Sequence, residues 1–570
     1  MTWLVVLFYY QYKTMKKSIF TLILAAIAMQ GANAKVRTTS QLINEAKRAL
    51  VSNSSRMKAA KANAGAIKVL KRDAQMSIVG YENGNCVAIA NDDTFEPVLG
   101  YFTASADGTV NPALQWWMQA MNQSLTEKLA NGEQPRYTAP KKEYKESVAP
   151  LLTTTWSQET PYNNLCPEYS IGVGNYRYLT GCVATAMAQV FNYYKFPTKG
   201  TGSHKWTYYP DGENGKGVDK SQSFRTSYDW ANMLDSYKGN YTTAQAKAVA
   251  TLMRDCGAAA SMQYTPDGSG TTNYEALVGM RRNLCYDQAS KNYLRDFTPS
   301  VMWMEMVYDE LNEGRPIIYS GATPDNSGHC FVFDGYDKAG LVHVEWGWGG
   351  QGDGYFDMSL LNSEQGSFSE GQQMILVRKP GETDYTYHSM WGTNGFEMTI
   401  NGNTLNIGKV SFYNIDVDNF TGQVQLLCMK TDGSKGYLLS NISELKDIEY
   451  GHGGSIELGD IIDLTKFPEG TWQIYFGSLS SSTDNPETGW YPIFGGDGCK
   501  DNYFLTVSNG TYKLVAGNDD WSLPTGISSV KADGKPVNSR IFSIDGRSLG
   551  TDLNTLGKGL YIVNGKKIMK

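Results

Sequence analysis

Thr180-Gly181-Cys182-Val183-Ala184-Thr185-Ala186-Met187-Ala188-Gln189-Val190-Phe191 decides how this chain is read. Apolar residues at 183, 186, 187, 190, 191 and 194 keep helical spacing, and Pro197 marks the end of the run. Gly181 just precedes that helix, so the spacing predicts Cys182 at its N-terminal end. Free backbone N–H groups and the positive end of the helix dipole both favour a thiolate there. The same N–H groups can hold an oxyanion after a thiolate has attacked a carbonyl. The small residues behind Cys182 let the helix pack closely in a core. A lone cysteine is as readily a buried, inert residue, and position leaves both readings open.

A thiolate nucleophile needs a base, and the chain offers five histidines. His204 and His388 lie in polar, loop-like surroundings, and His452 sits within Gly451-His452-Gly453-Gly454. His343 lies inside the apolar run Leu341-Val342-His343-Val344, where a structural role is expected. His329 opens the strand-like run Gly328-His329-Cys330-Phe331-Val332-Phe333-Asp334-Gly335. A strand edge is a rigid mount for an imidazole facing a cleft; catalysis and core packing both remain open for it.

Three stretches together resemble the streptopain family of bacterial cysteine proteases: Thr180–Gln189, the Gly328-His329 strand, and His343-Val344-Glu345-Trp346-Gly347-Trp348-Gly349-Gly350. Gln158-Glu159-Thr160-Pro161-Tyr162-Asn163, Tyr228-Asp229-Trp230-Ala231-Asn232 and Met262-Gln263-Tyr264-Thr265-Pro266 add to the likeness, which covers roughly residues 150–379. The resemblance implies an α+β, papain-like two-subdomain fold with a cleft between its halves. It implies Cys182 as nucleophile and His329 as general base and later acid. Gln158 would donate to the oxyanion hole beside the Cys182 N–H, and Trp346 would shield the imidazole's polar edge from water. Where the family has Asn this chain has Glu345, whose carboxylate is expected either to orient His329 or to point away. No metal or organic cofactor is expected, and the substrates would be proteins or peptides. Loops near 265–272 and 363–372 are expected to shape an apolar pocket for the residue before the one donating the scissile carbonyl.

The flanking sequence fits an exported precursor. Met15-Lys16-Lys17, an apolar run from Ile19 to Met29 and Ala32-Asn33-Ala34 read as a signal peptide over 1–34, with Met15 as the true start. A membrane anchor is the alternative reading of the apolar Leu4–Tyr10. Residues 35–145 read as an inhibitory α+β prodomain and activation linker. Within them 36–74 is helix or linker, a hairpin joins 76–81 to 86–90, and an amphipathic helix starts at Pro112. Asn91-Asp92-Asp93, Pro97–Tyr101 and Asn111–Trp117 resemble the family's prodomain, which acts as an intramolecular inhibitor. Lys141, Lys142 and Lys145 are candidate cleavage points in the exposed 132–149 linker.

The protease domain is expected over 146–379. Short alternating runs from 380 to 522 predict an all-β sandwich. Residues 523–570 resemble the sorting tail of type IX secretion substrates, through Ile544-Asp545-Gly546-Arg547 and Lys558–Val563. The alternative is two last strands of the sandwich. That tail implies the secreted or outer-surface compartment of a Gram-negative bacterium. A net charge of -6 and the lack of a basic stripe argue against a nucleic-acid partner, and no later run is apolar enough to cross a membrane. The eight cysteines form no CxxC pair, so they read as small core residues or an occasional bridge. Two other functions share these features: a catalytically silent surface-binding protein, and a Cys-His amidase or transglutaminase.

Overall fold

Glycine and proline punctuate short strands throughout residues 66–103, and those strands lead directly into the architecture. The computed structural model describes residues 36–517 apart from 57–64, 83, 105–109, 132–143, 172, 213, 323–327, 362–370, 383–389, 393–394, 432–435, 440–442 and 482–489. Beyond 517 it describes strands at 541–543, 560–563 and 566–569. The signal peptide with Met15, the candidate cleavage points Lys141 and Lys142, most of the 363–372 loop and most of the sorting tail lie outside the described residues. Two compact units are present, Met1–Arg295 with Ser300–Glu382, and Asp296–Pro299 with Thr383–Lys570.

The first unit begins with helix α1 (Thr39–Ser52), started by a Thr38/Gln41 capping box. Strands β1 (Lys68–Arg72), β2 (Met76–Gly80), β3 (Asn85–Ala90) and β4 (Val98–Thr103) follow, then helix α2 (Pro112–Asn131). The expected hairpin is the β2–β3 pair, in register from Met76 opposite Ala90 to Gly80 opposite Cys86. After the linker come the hairpin β5 (Glu168–Ile171) and β6 (Gly174–Arg177), helix α3 (Cys182–Tyr194), the hairpin β7 (Ser203–Tyr208) and β8 (Val218–Ser223), and helix α4 (Thr243–Ala259). The hairpin β9 (Gln263–Thr265) and β10 (Gly268–Gly270), helix α5 (Asn273–Asn283), strand β11 (Lys291–Leu294) and helix α6 (Ser300–Asn312) complete the helical half. Strands β12 (Ile317–Ala322), β13 (Gly328–Tyr336), β14 (Val342–Glu345), β15 (Gly354–Phe356) and β16 (Gln373–Leu376) form the other half.

The N-terminal segment shares its sheet with the later strands of the unit. One ten-stranded sheet runs β1-β2-β3-β4-β15-β14-β13-β12-β16-β11, joined across the seam by β4 and β15 with Tyr101 opposite Tyr355. Their rings stack at 5.0 Å. On one face of this sheet Trp116, Trp117 and Met121 of α2 share a buried core with Trp303 of α6, Phe331 and Phe333 of β13, and Trp346. A fully buried Trp such as Trp117 contributes on the order of 2–3 kcal/mol by removing apolar surface from water. Helix α3 packs against the same strand β13.

The second unit is sheet-rich, as its alternating runs predict. The expected strands appear at Val410–Tyr413, Phe420–Lys430 and Gly470–Ser480. Val424, Leu426 and Cys428 of the seven-stranded sheet share one core with Leu405, Ile407, Val410 and Phe412 of the smaller sheets. All eight cysteines are free thiols, so no bridge forms.

Candidate active site

Cys182 is the first residue of α3, and Gly181 is its N-cap with φ of +86° and no side-chain cap. Only glycine holds that backbone conformation without strain. Its Cα also approaches so closely that a Cβ would lie 2.8 Å from the Met262 side chain and 2.9 Å from the Ser269 carbonyl oxygen. Thr185 donates to the Gly181 carbonyl at 3.0 Å and pairs with the Thr180 hydroxyl at 2.9 Å, which fixes the turn. The backbone N–H groups of Cys330, Val183 and Cys182 itself all draw the thiol's pKa down, but burial pushes it up by more.

His329 is the second residue of β13 and lies directly opposite Gly321 of β12. Neighbours paired across a ladder share a face. A Cβ built on Gly321 would collide with the indole of Trp116, and Phe331, on the same side two residues on, holds its ring 5.7 Å from that indole. The imidazole therefore starts from the face covered by α2. Cys330 and Val332 alternate to the other face, where α3 brings Cys182. Desolvation lowers the His329 pKa and raises that of Cys182, which favours the neutral form of each member of the expected pair. The helix start favours a thiolate at Cys182; desolvation of the thiol opposes it in this form of the chain.

Gln158 is buried, and its carbonyl accepts from the Thr180 N–H at 3.2 Å, which ties it to the turn that precedes Cys182. Trp346 is fully buried, with its ring 4.7 Å from Phe331 and its indole N–H donating to Gly352 O at 3.0 Å. It shares the face of Phe331, two residues from His329.

Glu345 goes elsewhere than an imidazole-orienting role requires. It pairs with Val332 across the ladder and so faces α3, not His329. Its Oε2 accepts from the Gln189 side chain and from Gly347 N–H at 3.1 Å. Burial, with Asp353 nearby, pushes its carboxyl well above the usual range, which favours its protonated form.

One polar feature escaped the sequence reading. Gln189 is a fully buried amide in the middle of α3; an isolated polar residue on an otherwise apolar helix was the available signal. His343, expected to be structural, holds Asp334 through Nδ1 at 2.6 Å. His343 borders a cavity of about 150 Å³ lined also by Arg56, Thr154, Asp334, Glu345 and Asp353 among others. Among the described residues no cluster of His, Cys, Asp and Glu is arranged to hold a metal ion.

Comparison with known proteins places this geometry. The model of the peptidase C10 family matches residues 156–356. The solved structure of a prointerpain A fragment from Prevotella intermedia is 40% identical, with a TM-score of 0.50, over 55% of this chain and 98% of that one. The chain belongs to the peptidase C10 family. This bears out the streptopain-like reading and the papain-like fold preceded by a prodomain. The thiol protease/hemagglutinin PrtT of Porphyromonas gingivalis is 31% identical over 53% of this chain, which spans 36% of that relative's length. Streptopain of Streptococcus pyogenes is 28% identical over 54% of this chain and 81% of its own. Both alignments leave the remainder of this C10 chain unmatched.

Proposed function

We propose that this chain is the precursor of a secreted cysteine endopeptidase, held inactive by residues 35–145 and cleaving internal peptide bonds once released. The carrying observation is Cys182, set as the first residue of a buried helix whose start has no side-chain cap, where free backbone N–H groups favour a thiolate.

In the released enzyme the Cys182 sulfur attacks a peptide carbonyl while His329 takes its proton. The oxyanion is held by the Cys182 N–H and the Gln158 side chain. His329 protonates the leaving amine, leaving a thioester that water hydrolyses with His329 again as base. Trp116 of α2 covers Gly321, the ladder partner of His329, so in this reading release of α2 frees the imidazole to turn toward the thiol. Secretion rests on the signal-like 1–34 and the family likeness. The tail from 523 would carry the enzyme to the outer surface of a Gram-negative cell. Among the described residues no helix is long and apolar enough to cross a membrane.

The test incubates precursor beginning at Lys35 beside its Cys182→Ala variant under reducing conditions, following band pattern and casein hydrolysis. The expected outcome is trimming within 132–149 only in the unaltered chain, with activity abolished by a thiol-alkylating reagent. Release of ammonia without new peptide α-amines would replace this reading with an amidase.

A further inference from the structure

We propose that Gln189 is a positioning residue that holds the oxyanion-binding strap and the Trp346 loop in register with the nucleophile helix, through a hydrogen-bonded exchange with Glu345. The proposal rests on the protease reading above and assigns to Gln189 and Glu345 a role in that same reaction.

The geometry is specific. Gln189 follows Cys182 by seven residues, two turns along one helix face and about 10 Å along the axis. Its side chain is wholly buried, so every polar atom that it fails to pair is costly. Its Oε1 accepts from the Thr154 hydroxyl at 2.9 Å and from the Trp156 N–H at 3.3 Å. Its amide nitrogen donates to Glu345 Oε2, which also accepts from Gly347 N–H at 3.1 Å. One side chain thus spans the helix carrying Cys182, the segment leading to Gln158, and both neighbours of Trp346.

The segment from 154 to 158 has no regular structure to stiffen it. It is strapped down instead at intervals. Thr155 N–H donates to Asp235 O at 2.8 Å, Gly349 N–H to Trp156 O at 2.8 Å, and Thr180 N–H to Gln158 O at 3.2 Å. Among these ties Gln189 is the one that reaches from α3. Loss of that tie leaves Thr154, Trp156 and Glu345 each short of a partner in a buried site. The strap relaxes, and Gln158 moves relative to the Cys182 N–H.

The partners also explain Glu345. Its Oε2 is the acceptor that the Gln189 amide and the Gly347 N–H share, while Oε1 is buried without a hydrogen-bond partner. The pattern constrains the swap: Gly347 N–H needs an acceptor at 345, so with glutamine there its carbonyl oxygen faces both Gly347 and residue 189, and a glutamate at 189 fits as the protonated acid that donates its O–H to that carbonyl. A glutamate at 189 alone sets two carboxyl groups against each other.

The test uses the full precursor, activated by its own trimming or by an added protease. It compares wild type, Gln189→Leu, Gln189→Glu and the double variant Q189E/E345Q. Three quantities are read: kcat and KM on a peptide amide, inhibition by a peptide aldehyde, and the rate of alkylation by iodoacetamide. Aldehyde capture builds an oxyanion, whereas alkylation needs only the thiolate. Gln189→Leu is expected to lower kcat and aldehyde affinity by about 10–100-fold, the range of a misplaced catalytic group. KM and alkylation should stay within about threefold of wild type. The double variant should recover at least about fivefold over Gln189→Glu. Unchanged kcat in Gln189→Leu, alkylation falling in step with kcat, or no recovery in the double variant overturns the proposal. Should Gln189→Leu not fold, Thr154→Val removes a single tie and should still lower kcat; unchanged kcat there overturns it too. A wild-type chain that never cleaves peptides overturns the protease reading itself, an outcome separate from all of these.

Discussion

Trp116 lies against Gly321, the residue paired with His329, so closely that Gly321 has no room for a side chain. The indole occupies the face of β13 from which the imidazole starts. Trp116→Ala should cost the precursor about 3–5 kcal/mol, as removal of a buried Trp does. Self-trimming should start sooner in that variant, measured by gel alongside a thermal melt. A variant that melts lower yet trims no faster would separate packing from inhibition.

The thiol and the imidazole are each half-buried, and desolvation favours the neutral form of both in the precursor. Iodoacetamide should therefore alkylate Cys182 faster after trimming than before, by about tenfold or more where the thiolate fraction rises by one pKa unit. The measurement is loss of free Cys182 by mass spectrometry at pH 7 on both forms. Equal rates would mean that the N-terminal segment does not set the thiol's protonation.

Glu345 gives a pH-dependent prediction with a definite sign. Its folded pKa is raised, so the unfolded chain loses this proton first as pH rises above about 4.3. The folded state is thereby penalised progressively, by up to about 1.4 kcal/mol per pH unit until the folded pKa is reached. Glu345→Gln keeps an acceptor for Gln189 and cannot ionise. Its Tm relative to wild type should climb between pH 5 and pH 8. A constant difference would show that Glu345 is ionised in the fold.

Gly181→Ala should be severe. The +86° φ is strained for alanine, and its Cβ would press on Met262 and the Ser269 carbonyl. A loss of at least about 2 kcal/mol in denaturant unfolding is expected, with kcat falling because the Cys182 N–H moves. Full activity in this variant would place the oxyanion elsewhere.

The Arg378–Glu310 pair is bidentate, at 2.7 and 2.6 Å, and both groups are buried. Arg378→Ala leaves Glu310 with Arg315 alone at 2.9 Å. About 3–5 kcal/mol of stability should be lost by urea unfolding. Arg378→Met, which refills the volume without restoring the charge, should lose nearly as much unless Glu310 is also made apolar.

Much was legible in the sequence because it is encoded locally. Helix α3 from Cys182, strand β13 from Gly328, the 76–90 hairpin and the helix from Pro112 all follow from periodicity and turn residues a few positions apart. The motif around Cys182, His329 and Trp346 likewise pointed to the family. Tertiary structure alone decided the rest. That β4 pairs with β15 across more than 250 residues depends on chain partners no local pattern names. That Glu345 faces Gln189 while Trp346 and His329 face α2 depends on ladder register, since a shift of one residue exchanges the two faces of a strand. The residue types determined which chemistry this chain can carry; the pairing of distant strands, and the desolvation that comes with it, decided which of those groups meet and which stand neutral.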